Sequence, residues 1–210
     1  MLANTIEQYF LLITRGDFMN FIGSKVLETK RLILRPTIEK DLKKIWEILC
    51  IPEVNELYLT CKLNFDWDKE STWQLKKLER ANDGDVFQWT IVKKDTNECI
   101  GQISVQEKGE IKSVRDIGWF IAPNEQRKGY AFEAAKKVLD YMFNEVEIDA
   151  IETGAAIDNY ASWRLMQKLG FSKRGDVTHI EHYTFGGDKE CYSYGVTSYE
   201  YKTKILSKKI

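Results

Sequence analysis

The chain has 210 residues, enough for one domain with or without an extension. At this size folding buries roughly 70% of the unfolded chain's surface, so no disulfide or metal staple is required. Its 31 Lys and Arg against 32 Asp and Glu give a net charge of −1 without a long block of one sign, which argues against a nucleic-acid binder needing a basic face.

At the N-terminus, Tyr9-Phe-Leu-Leu-Ile13 is apolar but far shorter than the ~20 residues of a membrane span. No Lys or Arg precedes it and Glu7 does, which makes it a poor signal peptide. Residues 1–27 read as an N-terminal extension, with Met19 as an alternative start, and residues 28–210 as the domain.

Arg31-Leu-Ile-Leu-Arg-Pro36 predicts a first strand stopped by proline. Thr37 then suits an N-cap for a helix over about Glu39–Cys50. Asp66 or Asp68 can cap a second helix running to about Arg80, broken by Asn82-Asp-Gly-Asp85. Three strands follow: Val86–Val92, Cys99–Val105 after the turn Asp95-Thr-Asn97, and a strand ending Ile117-Gly-Trp-Phe-Ile121 before Pro123-Asn124. Gln106–Glu110 is expected as a turn.

Ala131, Ala135, Val138, Leu139 and Met142 recur on one helical face. Ala150–Ala156 reads as a strand, and Asn159–Leu169 as a helix closed by Gly170. Phe171 opens a strand region, with Gly186-Gly187-Asp188 turning between Ile180–Phe185 and Cys191–Val196. Lys202, Lys204, Lys208 and Lys209 mark a solvated basic tail. Mixed strands with helices on both faces imply an α/β sandwich with a largely antiparallel first half.

Cys50, Cys61, Cys99 and Cys191 are scattered without a CxxC pair, and the only histidines are His179 and His182. No metal site is expected, and a reduced, cytoplasmic setting fits.

The chemistry gathers at Gln126-Arg-Lys-Gly-Tyr-Ala131, where a short turn opens a helix. A helix start leaves backbone N–H groups unpaired and carries partial positive charge, and a glycine there lets an anion approach closely. Arg127 and Lys128 add charge, so the segment is a seat for a pyrophosphate. It lacks both the GxxxxGK of a P-loop and the GxGxxG of a dinucleotide site. By itself it is also what an ordinary helix entry with a solvated Arg–Lys pair looks like.

The segment resembles motif A of the GNAT N-acetyltransferase superfamily, Gln/Arg-x-x-Gly-x-Gly/Ala. Tyr130-Ala-Phe-Glu-Ala134 and Asp116-Ile-Gly-Trp-Phe-Ile121 resemble the RimJ/RimL-like branch that acetylates ribosomal-protein N-termini. Asn159-Tyr-Ala-Ser162 and Lys168-Leu-Gly-Phe171 resemble that branch's second signature, and Arg31-Leu-Ile-Leu-Arg35 is similar to its first strand. The resemblance covers roughly residues 28–200. The chain departs from the branch at Arg127, often Gly, at Gln167, often Glu, and at Trp163, usually aliphatic. Met166 stands where many other GNAT enzymes place a tyrosine acid.

The resemblance implies a GNAT fold: a mixed, mostly antiparallel sheet splayed at the cofactor site. Acetyl-CoA would bind in the splay, its arm on the backbone of Trp119, Phe120 and Ile121, its pyrophosphate on Gln126, Arg127, Lys128, Gly129, Tyr130 and Ala131, with Asn159 and Ser162 opposite. A primary amine would attack the thioester directly. Ser162 is the expected acid or thiolate partner, one turn after Asn159. Glu181 is the first candidate base and Asp116 its rival. A helix serine bonded to its own backbone, a solvated strand carboxylate and an ion pair with Arg115 are the plain alternatives for these three. Glu133 is expected to serve the helix N-terminus, and His179 and His182 to be surface or pocket residues.

Trp46, Tyr58, Phe65, Trp67 and Trp73 are expected to be core residues in the region that walls the family's acceptor site. Glu53, Glu56, Asp66 and Asp68 read first as solvated and second as attracting a cationic acceptor. The acceptor is a peptide N-terminus or a small amine such as a polyamine or aminoglycoside; a monomer or homodimer is compatible. The alternatives are a non-catalytic acetyl-CoA-binding module and a plain α/β interaction domain.

Overall fold

A computed structural model describes residues 19–59, 61–82 and 86–207. The breaker at 83–85, the apolar run at 9–13 and Lys208 and Lys209 lie outside the described residues.

One eight-stranded sheet carries the fold. In chain order the elements are β1 (Leu27–Glu28), β2 (Leu32–Pro36), α1 (Glu39–Leu49), α2 (Pro52–Asn55), α3 (Trp67–Asn82), β3 (Phe87–Lys93), β4 (Cys99–Glu107) and β5 (Val114–Ile121). A short turn at Pro123–Glu125 leads to α4 (Tyr130–Tyr141), widened by a π-turn at Met142–Val146, then β6 (Ala150–Ala156), α5 (Tyr160–Leu169), β7 (Ser172–Glu181), β8 (Asp188–Thr197) and α6 (Ser198–Ser207). The strand order is β1-β2-β3-β4-β5-β6-β8-β7, antiparallel except for β5 and β6.

The period-2 alternation sorts β3 cleanly. Phe87, Trp89 and Ile91 enter the core beneath α4, with Ile103, Val105 and Ile117 from the next strands. Gln88, Thr90, Gln102 and Ser104 are buried on the other face, where α1 packs on β4. There Thr90 donates to Asp41 at 3.0 Å, and Asp41 also holds Arg35. The apolar stripe of α4 seals the first face, with Ala134, Ala135, Val138 and Leu139 fully buried. Each large side chain sealed in this way contributes roughly 1.5–3 kcal/mol.

Several expectations need correction. The first helix is preceded by Ile38 rather than capped by Thr37; Asp41 reaches back to the Ile38 amide at 3.1 Å, while Thr37 bonds Thr90 at 3.2 Å. Of the two candidate caps of α3 it is Asp66 whose carboxylate accepts the Asp68 amide, at 3.1 Å. The four-residue α2 was not anticipated, and β4 takes in the first two residues of the expected turn, ending at Glu107. The segment read as a tail is α6, whose Tyr201 is buried against Phe143 and donates to Asp140 at 3.0 Å.

Residues 19–27, read as part of the extension, pack onto the domain. Met19 enters the core beside Arg115, the Asn20 amide donates to the Val146 carbonyl at 2.8 Å, and Trp89 donates to the Lys25 carbonyl at 2.8 Å.

Candidate active site

The sheet opens where its one parallel pair ends. β5 and β6 pair only at Val114–Ala150 and Arg115–Ile151. Beyond that point Thr153 donates its hydroxyl to the Ile117 carbonyl at 2.9 Å across the gap.

Two cavities meet in this opening. The larger, about 440 Å³, runs from the opening to the start of α4. Trp119, Phe120, Ile121, Gln126, Arg127, Gly129, Tyr130, Ala131, Asn159 and Ser162 all line it. Of the expected cofactor set only Lys128 does not, because its ammonium turns to Glu125 at 3.0 Å. Glu125 is buried and also meets Lys93 at 3.3 Å; the Lys128 bond first, then Lys93, holds its carboxyl below the usual range against the pull of desolvation.

The loop is shaped to gather backbone donors. Arg127 (φ 62°) and Gly129 (φ 84°) both adopt the left-handed region, and such kinks turn successive N–H groups to one side. Gly129 precedes the first turn of α4, and the closest atom to a Cβ placed there is Arg31 Nη2, at 3.5 Å. The surface before the amides is therefore open to an anion, which fits the pyrophosphate of CoA.

Arg31, not singled out from the sequence, braces this loop from β2's side. Its guanidinium donates to the Lys128 carbonyl at 2.9 Å and to Glu133 at 2.7 Å, and lies 4.4 Å over the Tyr130 ring. Burial would raise the Glu133 carboxyl, but hydrogen bonds from Thr29 and Arg31 keep it below its usual range. Glu133 stands in the first turn of α4, as expected, and also ties that turn to the chain before β2. An arginine ahead of a strand carries no local sign of this reach.

The smaller cavity, about 210 Å³, lies on the other side of the opening. Asp116 lines it and accepts from Gln106 at 3.3 Å. Leu59, Ile180 and Cys191 give it apolar walls. Ser162, at the first turn of α5, lines both cavities; Asn159 caps that helix by accepting the Ser162 amide at 3.2 Å. The second signature therefore holds one side of the meeting point.

Glu181 is not at this point. It is exposed at the far end of β7, opposite Asp188, and its neighbour Ile180 is the residue that faces the cavity. The alternation of a strand explains the difference. His182 is buried and structural: Nε2 donates to the Asn55 carbonyl at 2.9 Å, since Nδ1 accepts the amides of Thr184 and Phe185, both at 3.2 Å. His179 is exposed on the edge strand.

The aromatic cluster divides. Trp46 packs 5.3 Å from Trp67 and donates to the Asn64 carbonyl at 2.8 Å. Phe65 and Trp73 are exposed (53% and 44%) rather than core. Tyr58 lines both cavities and meets Phe120 edge-on at 5.5 Å. Among the four carboxylates, Glu53 lines the larger cavity, while Glu56, Asp66 and Asp68 line neither cavity. Among the described residues no group of three or more His, Cys, Asp or Glu side chains can hold a metal, and no helix is long and apolar enough to cross a membrane.

A family model described as the acetyltransferase (GNAT) domain matches residues 31–172. The uncharacterized N-acetyltransferase YoaA of Bacillus subtilis is 32% identical over 151 residues, which cover 71% of this chain and 84% of that protein. Two solved structures share the fold. Mycobacterium smegmatis RimJ in complex with CoA-disulfide has a TM-score of 0.71 at 18% identity, covering 87% of this chain and 91% of that one. Spermidine N-acetyltransferase from Vibrio cholerae in complex with CoA and spermine has a TM-score of 0.69 at 19% identity, covering 83% and 99%.

Proposed function

The chain belongs to the GNAT acetyltransferase family, and from that membership we propose that it moves the acetyl group of acetyl-CoA directly onto a primary amine seated beside Asp116. One observation carries the reading. A cleft ending at an amide-rich helix start and a cavity holding a carboxylate share a wall at Trp119 and Ser162. Two reactants held on either side of that wall meet with their translational freedom already spent, which supplies several kcal/mol of barrier lowering.

Acetyl-CoA supplies the thioester carbonyl and a thiolate leaving group. The backbone of Arg127–Ala131 would receive its diphosphate, and that of Trp119–Ile121 its arm. Asp116 is the supported base because it lines the acceptor cavity and Glu181 does not. Ser162 is the supported partner for the departing sulfur, since it lines both cavities. Only a neutral amine is nucleophilic, so an α-amine (pKa ~7.7–8.0) needs less help from Asp116 than a lysine-like amine (pKa ~10.4). A small cavity with one carboxylate suits the end of an amine-bearing arm, either a peptide N-terminus, as in the RimJ/RimL-like branch, or a polyamine tip, and a larger amine such as an aminoglycoside would have to extend outside it. We place the protein in the cytoplasm, where acetyl-CoA and the free thiols of its four cysteines are at home, as a monomer or homodimer, with the domain taken to begin at Met19.

Calorimetry with acetyl-CoA, followed by thiol release against N-terminal peptides, polyamines and aminoglycosides, tests the reading. At a ligand concentration 100 times Kd the melting temperature should rise by about 5–10 °C. A protein that neither binds CoA nor releases its thiol with any amine would refute the proposal.

A further inference from the structure

Five residues line both cavities: Leu57, Tyr58, Trp119, Asn159 and Ser162. They mark the place where an amine and a thioester can touch. Three have polar side chains beyond the indole, and the Asn159 oxygen is already committed to the Ser162 amide. Two hydroxyls remain, and they come from opposite faces of the sheet. Ser162 belongs to α5, which packs with α4, whereas Tyr58 follows α2 and packs with Phe120 among the α1 and α2 side chains.

The backbone makes room for that phenol. A Cβ at position 118 would stand 2.8 Å from the Tyr58 oxygen, so only glycine lets the ring lie flat over β5. Asp116 is two residues away on the same strand face and lines the same cavity. The phenol also hydrogen-bonds with the Ser104 hydroxyl, from the β4 residue paired with Gly118. Burial, reinforced by Cys61 and Asp116, pushes its pKa far above the usual tyrosine range. It therefore stays protonated at working pH.

We propose that Tyr58 is a catalytic residue that orients the acceptor amine, its oxygen accepting one amine N–H so that the nitrogen lone pair faces the thioester carbon. The inference rests on the acetyl-transfer reading above. The Ser104 hydroxyl donates to one side of the phenol oxygen, which has a second acceptor site for the amine. The nitrogen forms the new C–N bond, the C–S bond breaks, and its electron pair leaves on sulfur. The proton lost by nitrogen passes to Asp116 and from there to solvent, and the thiolate takes the Ser162 proton, which solvent replaces. Tyr58 ends as it began, a neutral phenol.

The test compares wild type, Tyr58→Phe and Gly118→Ala, using the best acceptor from the thiol-release panel. Tyr58→Phe should lower kcat/KM for the amine about 10–100-fold, as for loss of a hydrogen bond to a group gaining charge. KM for acetyl-CoA and the position of the pH–rate profile should not move. Gly118→Ala, which displaces the phenol, should show the same pattern, and it serves alone if Tyr58→Phe does not fold. Retention of acceptor kcat/KM within about two-fold, or a loss confined to the KM of acetyl-CoA, overturns the role of Tyr58. Wild-type protein that binds acetyl-CoA yet acetylates no amine overturns the underlying function instead.

Discussion

Arg31 and Glu133 are joined by two hydrogen bonds, the guanidinium Nε to Oε2 at 2.7 Å and the Arg31 amide to Oε1 at 2.8 Å. The pair fixes the chain before β2 to the first turn of α4 and leaves Nη1 free to hold the Lys128 carbonyl. Arg31→Ala should therefore loosen the loop before α4 and, if that loop holds the diphosphate as proposed, raise the acetyl-CoA KM about ten-fold, with kcat nearly unchanged. Arg31→Lys should not restore it, because a single ammonium cannot hold two acceptors in a fixed fork. Steady-state kinetics at varied acetyl-CoA would settle the matter; equal KM values in all three proteins would contradict it.

Asp116 and Glu181 make opposite predictions. Asp116→Asn should cut kcat by about 10²–10⁴-fold, the range for losing a general base. Glu181→Gln, at an exposed position outside both cavities, should leave turnover within about two-fold. The reverse result would move the base to the hairpin.

His182 clasps the β7–β8 turn to α2 through three hydrogen bonds in a buried setting. His182→Ala removes all three partners and should destabilise the fold by about 2–4 kcal/mol, read from urea unfolding. A loss under about 0.5 kcal/mol would show that the clasp is dispensable.

Asp41 makes stability depend on acid. Desolvation raises its carboxyl, but Arg35, the Ile38 amide and Thr90 outweigh that and leave it below its usual value. A depressed folded pKa stabilises above the unfolded value of about 3.9, and the contribution is lost as pH falls through the lower folded value. Asp41→Asn should lower the melting temperature at pH 7 and weaken its fall between about pH 4 and pH 2. Parallel melting curves for the two proteins across that window would rule this out.

Much of this was legible in the sequence for local reasons. Helical spacing from Ala131 to Met142, proline at position 123, Asn159 before a helix and Gly170 (φ 100°) after it are each decided by a few neighbouring residues. The helix entry at Gln126–Ala131 was legible too, because one segment supplies the turn and the glycine before α4. What stayed hidden depends on distant pairing. Whether Ile180 or Glu181 faces the cavity is a matter of strand register, and the bulge between Arg174 and Thr178 shifts that register. Arg31 reaches across 102 positions to Glu133, and the place of Tyr58 follows from a missing side chain at Gly118. His182 read as a surface or pocket residue because its partner, the Asn55 carbonyl, is a backbone atom 127 positions away.

The bond from Thr153 to the Ile117 carbonyl also has a mechanical meaning. Past Arg115 the two leaves of the sheet, β1–β5 and β6–β8, are tied by side chains instead of a ladder. Stiffness is then concentrated at the base, as in a book held by its spine. A thioester carrier laid between the leaves would act as an extra rung, so the enzyme would borrow rigidity from the molecule it consumes and slacken each time the spent carrier departs.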